Sequence, residues 1–170
     1  VTERISADSW EQHKGHVARY YYAAQHVQPG ETVNDIACGV GYAATLFLRG
    51  QYRGYDRPGA PDPRFPGSFH AADFNDPRWE PEAADVTVCF ETLEHVKDPA
   101  RLAQVIARTT RRAIAVSVPV VPTKHINPYH LHDFRREDIP PLFGGFDVAD
   151  EWPQPEELSH VWLFERSSHA

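Results

Sequence analysis

Residues 33–44 read VNDIACGVGYAA: a short apolar climb, an acid (Asp35) inside it, then two glycines, Gly39 and Gly41, one residue apart. The stretch ETVNDIA (31–37) has the length and branching of a buried strand, and YAATLFLRG (42–50) reads as a helix closed by Gly50. Strand, glycine bend and helix in that order open a parallel α/β sheet, whose ligands bind where the strands end. A Gly-x-Gly bend lets backbone come close to a ligand because no Cβ intervenes. With Ala44 the pair also fits the G-x-G-x-x-G/A spacing of a nicotinamide or flavin site. A tight turn with nothing bound is the plain alternative.

Outward from this bend the chain alternates. SWEQHKGHVARYYYAAQHV (9–27) predicts a helix of about five turns with Ser9 as its N-cap. QYRGYD (51–56), SFHAAD (68–73) and DVTVCF (85–90) follow as strands, with the Pro/Gly-rich PGAPDPRFPG (58–67) as a loop between the first two. DPARLAQVIARTT (98–110) repeats its apolar residues every three or four places, as a helix does. AIAVSVP (113–119) is nearly all apolar, as a strand covered on both faces must be. FRREDIPPLF (134–143) reads as a short helix interrupted by prolines, and GFDVADEW (145–152) with HVWLFER (160–166) as a closing antiparallel pair.

Asp35 tilts the ligand question. A carboxylate beside the bend repels a dinucleotide pyrophosphate, whereas it favours a ligand carrying an ammonium and a sulfonium. S-adenosylmethionine (SAM) carries both, together with an adenosine. Asp56 ends the second strand, where a carboxylate can accept hydrogen bonds from both ribose hydroxyls. Asp73 and Phe74 after the third strand offer an acceptor for an adenine amino group and an aromatic neighbour, although DFND would also serve as a capping turn.

VNDIACGVGYAA resembles motif I of the class I SAM-dependent methyltransferases, and YRGYDR, HAADFND, DVTVCFETLEHVKDP and AIAVSVPV are similar to the later motifs of that family, in order, over residues 17 to 165. The resemblance implies a Rossmann-like, seven-stranded, mostly parallel sheet with the last strand antiparallel and helices on both faces. It also implies one domain over 1–170, with residues 1–29 as a lid helix and 30–166 as the core. Asp35, Gly39 and Gly41 would surround the methionine part of SAM, Asp56 the ribose, and Asp73 with Phe74 the adenine; Ala37, Phe90 and Glu91 would also border the cofactor. HVARYYYA (16–23) resembles the helix before motif I, whose Arg-Tyr pair, here Arg19 and Tyr20, closes over the methionine carboxylate.

The acceptor chemistry falls on two segments, FETLEHV (90–96) and TKHINPYHLHDF (123–134), the densest ionisable group in the chain. His95, His130 and Glu91 are the candidate catalytic residues, an imidazole being the natural general base near neutral pH. Glu91, Glu94, His95 and a later histidine, best matched by His130, resemble the ligand set of metal-dependent RNA 2′-O-methyltransferases. Such a set would suit Mn²⁺, Fe²⁺, Co²⁺ or Zn²⁺ better than Mg²⁺. A similar E-x-L-E-H-V run occurs in metal-free members. INPYHLHDF (126–134) is similar to a segment of methyltransferases that modify sugars, pointing to a hydroxyl on a saccharide-like or other small acceptor.

The totals set the outer bounds. With 170 residues, a net charge of −7, 41% hydrophobic and 24% charged residues, the chain reads as one globular domain without a broad phosphate-tracking surface. The run Arg108, Arg111 and Arg112 is a small basic patch or a solvated helix end. No apolar stretch is long enough to span a bilayer, VTERISADSWEQ has no signal-peptide core, and Cys38 and Cys89 read as buried free thiols, so a cytoplasmic location is expected. The short N-terminal lid predicts an open acceptor site, suited to a large substrate or closed by a second copy or a partner subunit. The rival readings are a non-catalytic SAM-binding subunit, an RNA 2′-O-methyltransferase and an NAD(P)-dependent oxidoreductase.

Overall fold

A computed structural model describes residues 5–168. Seven strands form one sheet: β1 (Thr32–Ile36), β2 (Gln51–Asp56), β3 (Ser68–Ala71), β4 (Ala84–Phe90), β5 (Thr110–Pro119), β6 (Phe146–Gln154) and β7 (Ser159–Arg166). Their order is β3-β2-β1-β4-β5-β7-β6, parallel from β3 to β5, with β7 antiparallel to both β5 and β6. The strand order reverses between β1 and β4, so the bend after β1 opens at the switch point. The expected architecture, including the reversed last strand, is present.

Alternating side chains on the central strands feed two cores. Ile114, Val116 and Val118 of β5 join Trp162 and Phe164 of β7 on one face, under Leu102, Ala103 and Ile106 of α2 (Pro99–Thr109). Ala113 and Ala115 join Val161 and Leu163 on the other face, under Tyr20 and Ala23 of α1 (Lys14–Gln25). Both faces of β5 are therefore covered, which explains its unbroken apolar sequence. Asp98 starts α2 by accepting the Arg101 N–H at 2.9 Å, with Pro99 at the first position, where its missing N–H costs nothing.

Three helical expectations need correction. The first helix begins at Lys14, not after Ser9: Ser9 spends its hydroxyl on Ser6 at 2.7 Å, and residues Trp10–Gln12 form a separate 3₁₀ turn. The second is a single 3₁₀ turn, Tyr42–Thr45, in which Thr45 turns its hydroxyl back onto the Tyr42 carbonyl at 2.7 Å. The prolines of FRREDIPPLF leave two 3₁₀ turns, Arg136–Asp138 and Pro140–Leu142, because proline supplies no N–H to continue a helix. Arg108, in the last turn of α2, pairs with Glu80, whereas Arg111 and Arg112 lie in β5 and pair with Asp85 and Glu31, so the run is neither a basic patch nor wholly a helix end.

Candidate active site

The described residues include three non-glycine residues with positive φ: Ala37 (64°), Glu91 (48°) and Leu158 (57°). Ala37 follows β1, Glu91 follows β4, and Leu158 precedes β7, whose first residue pairs with the last of β5. All three lie along one edge of the sheet, at the carboxyl ends of the parallel strands. Backbone held in a sparsely populated region costs free energy and gathers at sites that use it.

The bend after β1 builds one half of the site. Ala37, Gly39 (58°) and Gly41 (87°) put three left-handed residues into five. A Cβ on Gly39 would meet nothing within 4 Å, so this backbone faces open space, whereas Gly41 lies under the Phe69 ring. Asp56, at the end of β2, bridges the two strand ends: its Oδ2 accepts the Gly39 N–H at 2.8 Å and its Oδ1 the Arg57 N–H at 2.7 Å. These two hydrogen bonds fix the orientation of its carboxylate. A cleft of about 430 Å³ borders Asp56 on the β3 side, with Arg57, Phe65, Phe69 and His70 in its wall.

Asp35 is buried beneath the bend and does not line it. Tyr52 donates to its Oδ2 at 2.6 Å and Tyr20 to its Oδ1 at 3.2 Å. Burial pushes its pKa up to about 7, with the two hydroxyls opposing. Aromatic rings close over this acid: Tyr20 meets Tyr42 and Phe90 edge-on at 5.4 and 5.0 Å, and Trp10 stacks on Tyr42 at 4.7 Å. His16 reaches the Tyr42 hydroxyl at 2.8 Å, and burial, with Arg19 and His13 nearby, lowers its pKa to about 3. Asp73 is exposed and holds the Asn75 N–H at 2.9 Å, while Phe74 packs edge-on against Trp79 at 4.9 Å.

Glu91 anchors the junction of three strands. Ser117 of β5 donates to its Oε1 at 2.7 Å, Ser159 of β7 donates to its Oε2 at 2.8 Å, and the buried Arg19 of α1 lies 3.2 Å from Oε1. Arg19 also donates to Gln154 and lies 3.9 Å from Glu157. Its charge is thus directed to this acidic group within the protein.

The other half of the site joins two segments distant in sequence. Leu131 N–H and His132 N–H both donate to the Glu94 carbonyl, at 2.7 and 3.2 Å, and His132 Nε2 donates to the Val96 carbonyl at 2.9 Å. His95 Nδ1 lies 3.1 Å from the Tyr129 carbonyl. A carbonyl only accepts, so Nδ1 carries the proton, and in the neutral ring the lone pair sits on Nε2. His130 meets His95 edge-on, ring centres 4.6 Å apart, and its Nδ1 pairs with the Thr123 hydroxyl at 2.6 Å. Burial, with His95 beside it, lowers the His130 pKa. Glu94 is buried, and one ligand atom from each of Glu94, His95 and His130 falls within 4.8 Å of the others. Glu91 is not in that group.

Sequence reading named Asp56, the glycines, Glu94, His95 and His130, which the structure places at the two halves of this crevice, but not the residues that hold them. Ser117 could have been flagged as the one polar residue in AIAVSVP. Tyr52 and Thr123 fall within YRGYDR and TKHINPYHLHDF, but nothing in those stretches marks their holding roles, and Ser159 lies outside every quoted motif.

Among the described residues no helix is long and apolar enough to cross a membrane. A family model described as a methyltransferase domain matches residues 17–167. No curated protein sequence matches significantly. Among solved structures, the chain is similar to magnesium protoporphyrin IX methyltransferase from Synechocystis PCC 6803 with bound S-adenosylhomocysteine (SAH), at TM-score 0.68 and 17% identity, covering 92% of this chain and 84% of that one. It is similar to a chain in the complex of a Haloferax volcanii methyltransferase with the Trm112 activator, at TM-score 0.67 and 17% identity, covering 93% and 95%. A Bacillus halodurans protein described as a methyltransferase gives TM-score 0.72 at 12% identity, covering 89% and 98%. The chain therefore belongs to the methyltransferase-domain family and has the class I SAM-dependent methyltransferase fold.

Proposed function

We propose that the chain is a SAM-dependent O-methyltransferase acting on a hydroxyl of a sugar-like or other small acceptor. The observation that carries this reading is the Asp56 bridge: a carboxylate oriented by two backbone N–H groups, beside a bend whose Gly39 backbone faces open space. That arrangement fits a ribose diol against bare backbone. SAM, when bound, supplies a methyl group on a positively charged sulfur and becomes SAH once the C–S bonding pair returns to sulfur.

The chain's own residues then have three tasks: to hold the nucleoside, align the acceptor and take up the hydroxyl proton. Asp56 holds the ribose. Asp35, whose carboxyl is buried under Tyr20 and Tyr52, would act only through its field, and a cation held at the bend would favour its ionised form. As the acceptor oxygen uses its lone pair to form the new C–O bond, its proton passes to Nε2 of His95, and His130 lines the same approach. Glu91, tied to Arg19, Ser117 and Ser159, serves as a positioning residue that fixes the end of β4.

A second reading is favoured by the closeness of Glu94, His95 and His130. One carboxylate and two imidazoles suit Mn²⁺, Fe²⁺, Co²⁺ or Zn²⁺ better than Mg²⁺, and an ion held there would lower the hydroxyl pKa.

Calorimetry with SAM, SAH and NAD, followed by transfer of labelled methyl to a panel of hydroxyl acceptors, tests the main reading. SAM binding with no transfer to any acceptor would favour a non-catalytic subunit; NAD binding without SAM binding would favour an oxidoreductase. Unchanged turnover after chelation, with Glu94→Ala still active, eliminates the ion and leaves the imidazole as base.

A further inference from the structure

The loop from 120 to 133 leaves several large apolar side chains exposed. Several of its polar side chains hold the loop itself: Asp133 accepts the Thr123 and Lys124 N–H groups at 2.7 and 3.1 Å, and Asn127 Oδ1 accepts the Tyr129 N–H at 3.0 Å. Thr123 is spent on His130, and His132 on the Val96 carbonyl. Beyond Val120, which packs against the core, its large apolar side chains face water. Of the eight large hydrophobic residues exposed among the described residues, Val121, Ile126, Tyr129 and Leu131 lie on this loop. A fifth, Leu158, joins them through the hydrogen bond from Val120 N–H to its carbonyl at 3.0 Å. Exposed apolar residues scattered singly need no explanation, but a cluster marks a binding surface.

The cluster is continuous with the histidine pair. Tyr129 and Leu131 flank His130 in the chain, the Tyr129 carbonyl holds His95, and Leu131 N–H is fastened to Glu94. The apolar rim and the two imidazoles therefore belong to one braced surface. A saccharide needs directed hydrogen-bonding side chains, and the loop has already used most of its own. A flat apolar frame needs only area removed from water.

We infer that the acceptor hydroxyl is carried on a planar apolar ring system, which lies on the rim of Val121, Ile126, Tyr129, Leu131 and Leu158 and presents its oxygen to His95 and His130. This narrows the proposed O-methyl transfer and rests on it.

The test uses the full chain saturated with SAH, with 2-naphthol and methyl α-D-glucopyranoside as probes in calorimetry. The variants are the paired substitution Ile126→Ser with Leu131→Ser, and Leu48→Ser as a control; Leu48 is 84% exposed and lies outside both segments. Naphthol binding weakened about tenfold in the paired variant, unchanged in Leu48→Ser, and stronger than glucoside binding in the wild type is the expected result. Absent naphthol binding, binding indifferent to the paired variant, or tighter glucoside binding overturns the inference. SAH affinity, measured first on each protein, separates the two levels. If the wild type fails to bind SAH, the methyl-transfer reading falls and this one with it; if SAH binds and naphthol ignores the rim, only this inference falls.

Discussion

The two halves of the crevice are made differently. The glycine-bend half comes from strand ends that are neighbours in the sheet: Asp56 reaches Gly39 across 17 residues, and the β1–β2 register brings them together. The histidine half joins residues 94–96 to residues 129–132 through four hydrogen bonds, all of them to backbone carbonyls. The first half is as rigid as the sheet that carries it. The second is a separately braced loop, so its residues can be altered without disturbing the cofactor side. That contrast predicts which changes affect stability, which affect cofactor and which affect turnover alone.

The largest separation is expected for His95→Ala. Loss of a general base lowers turnover by about 10²–10⁴-fold, with SAM affinity and the melting temperature close to wild type; single-turnover kinetics beside calorimetry reads both. A parallel loss of SAM affinity would mean that the halves are one unit. Gly41→Ala should do the opposite. A Cβ at φ 87° would strike the Phe69 ring, so urea unfolding should show a loss of about 3 kcal/mol. Gly39→Ala, at φ 58° with no neighbour within 4 Å, should cost only about 1 kcal/mol of stability while weakening SAM binding. Equal stability losses at the two glycines would break the distinction between a packed and a ligand-facing glycine.

A subtler prediction concerns pH. The Asp35 pKa is raised to about 7 from 3.8, so its contribution to stability is fully present below the unfolded value and is lost as pH rises through about 7. The His16 pKa is lowered to about 3 from 6.5, so its contribution is present above 6.5 and is lost as pH falls through about 3. The two slopes oppose each other across mildly acidic pH. In Asp35→Asn the opposing slope is removed, and the melting temperature should climb more steeply with pH than in the wild type. Identical profiles would show that Asp35 does not carry the raised pKa.

The same contrast explains what could be read from sequence. β-Branched runs such as DVTVCF and the Gly-x-Gly bend carry their structure locally, and Asp56 is fixed by being the last residue of its strand. The failed helix over 42–50 shows the limit: its apolar spacing is helical, but Thr45 bonds back to the Tyr42 carbonyl and the turn stops there. Glu91 was legible as an acid at a strand end. Its partners, 26 and 68 residues away, were not, because only the strand order puts β5 and β7 beside it. Asp35 was legible as an acid near the bend, but its burial was not, because nothing in YRGYDR shows that the Tyr52 hydroxyl turns to it.

The most direct measurement is a calorimetric titration of SAM into the wild type and Asp56→Asn, with NAD as the competing ligand and melting temperatures as a check on folding. If strand-end geometry makes this a sulfonium-nucleoside site, SAM binds the wild type, NAD does not, and Asp56→Asn binds SAM at least about tenfold more weakly while remaining folded. SAM affinity indifferent to Asp56, or NAD binding tighter than SAM, would contradict it.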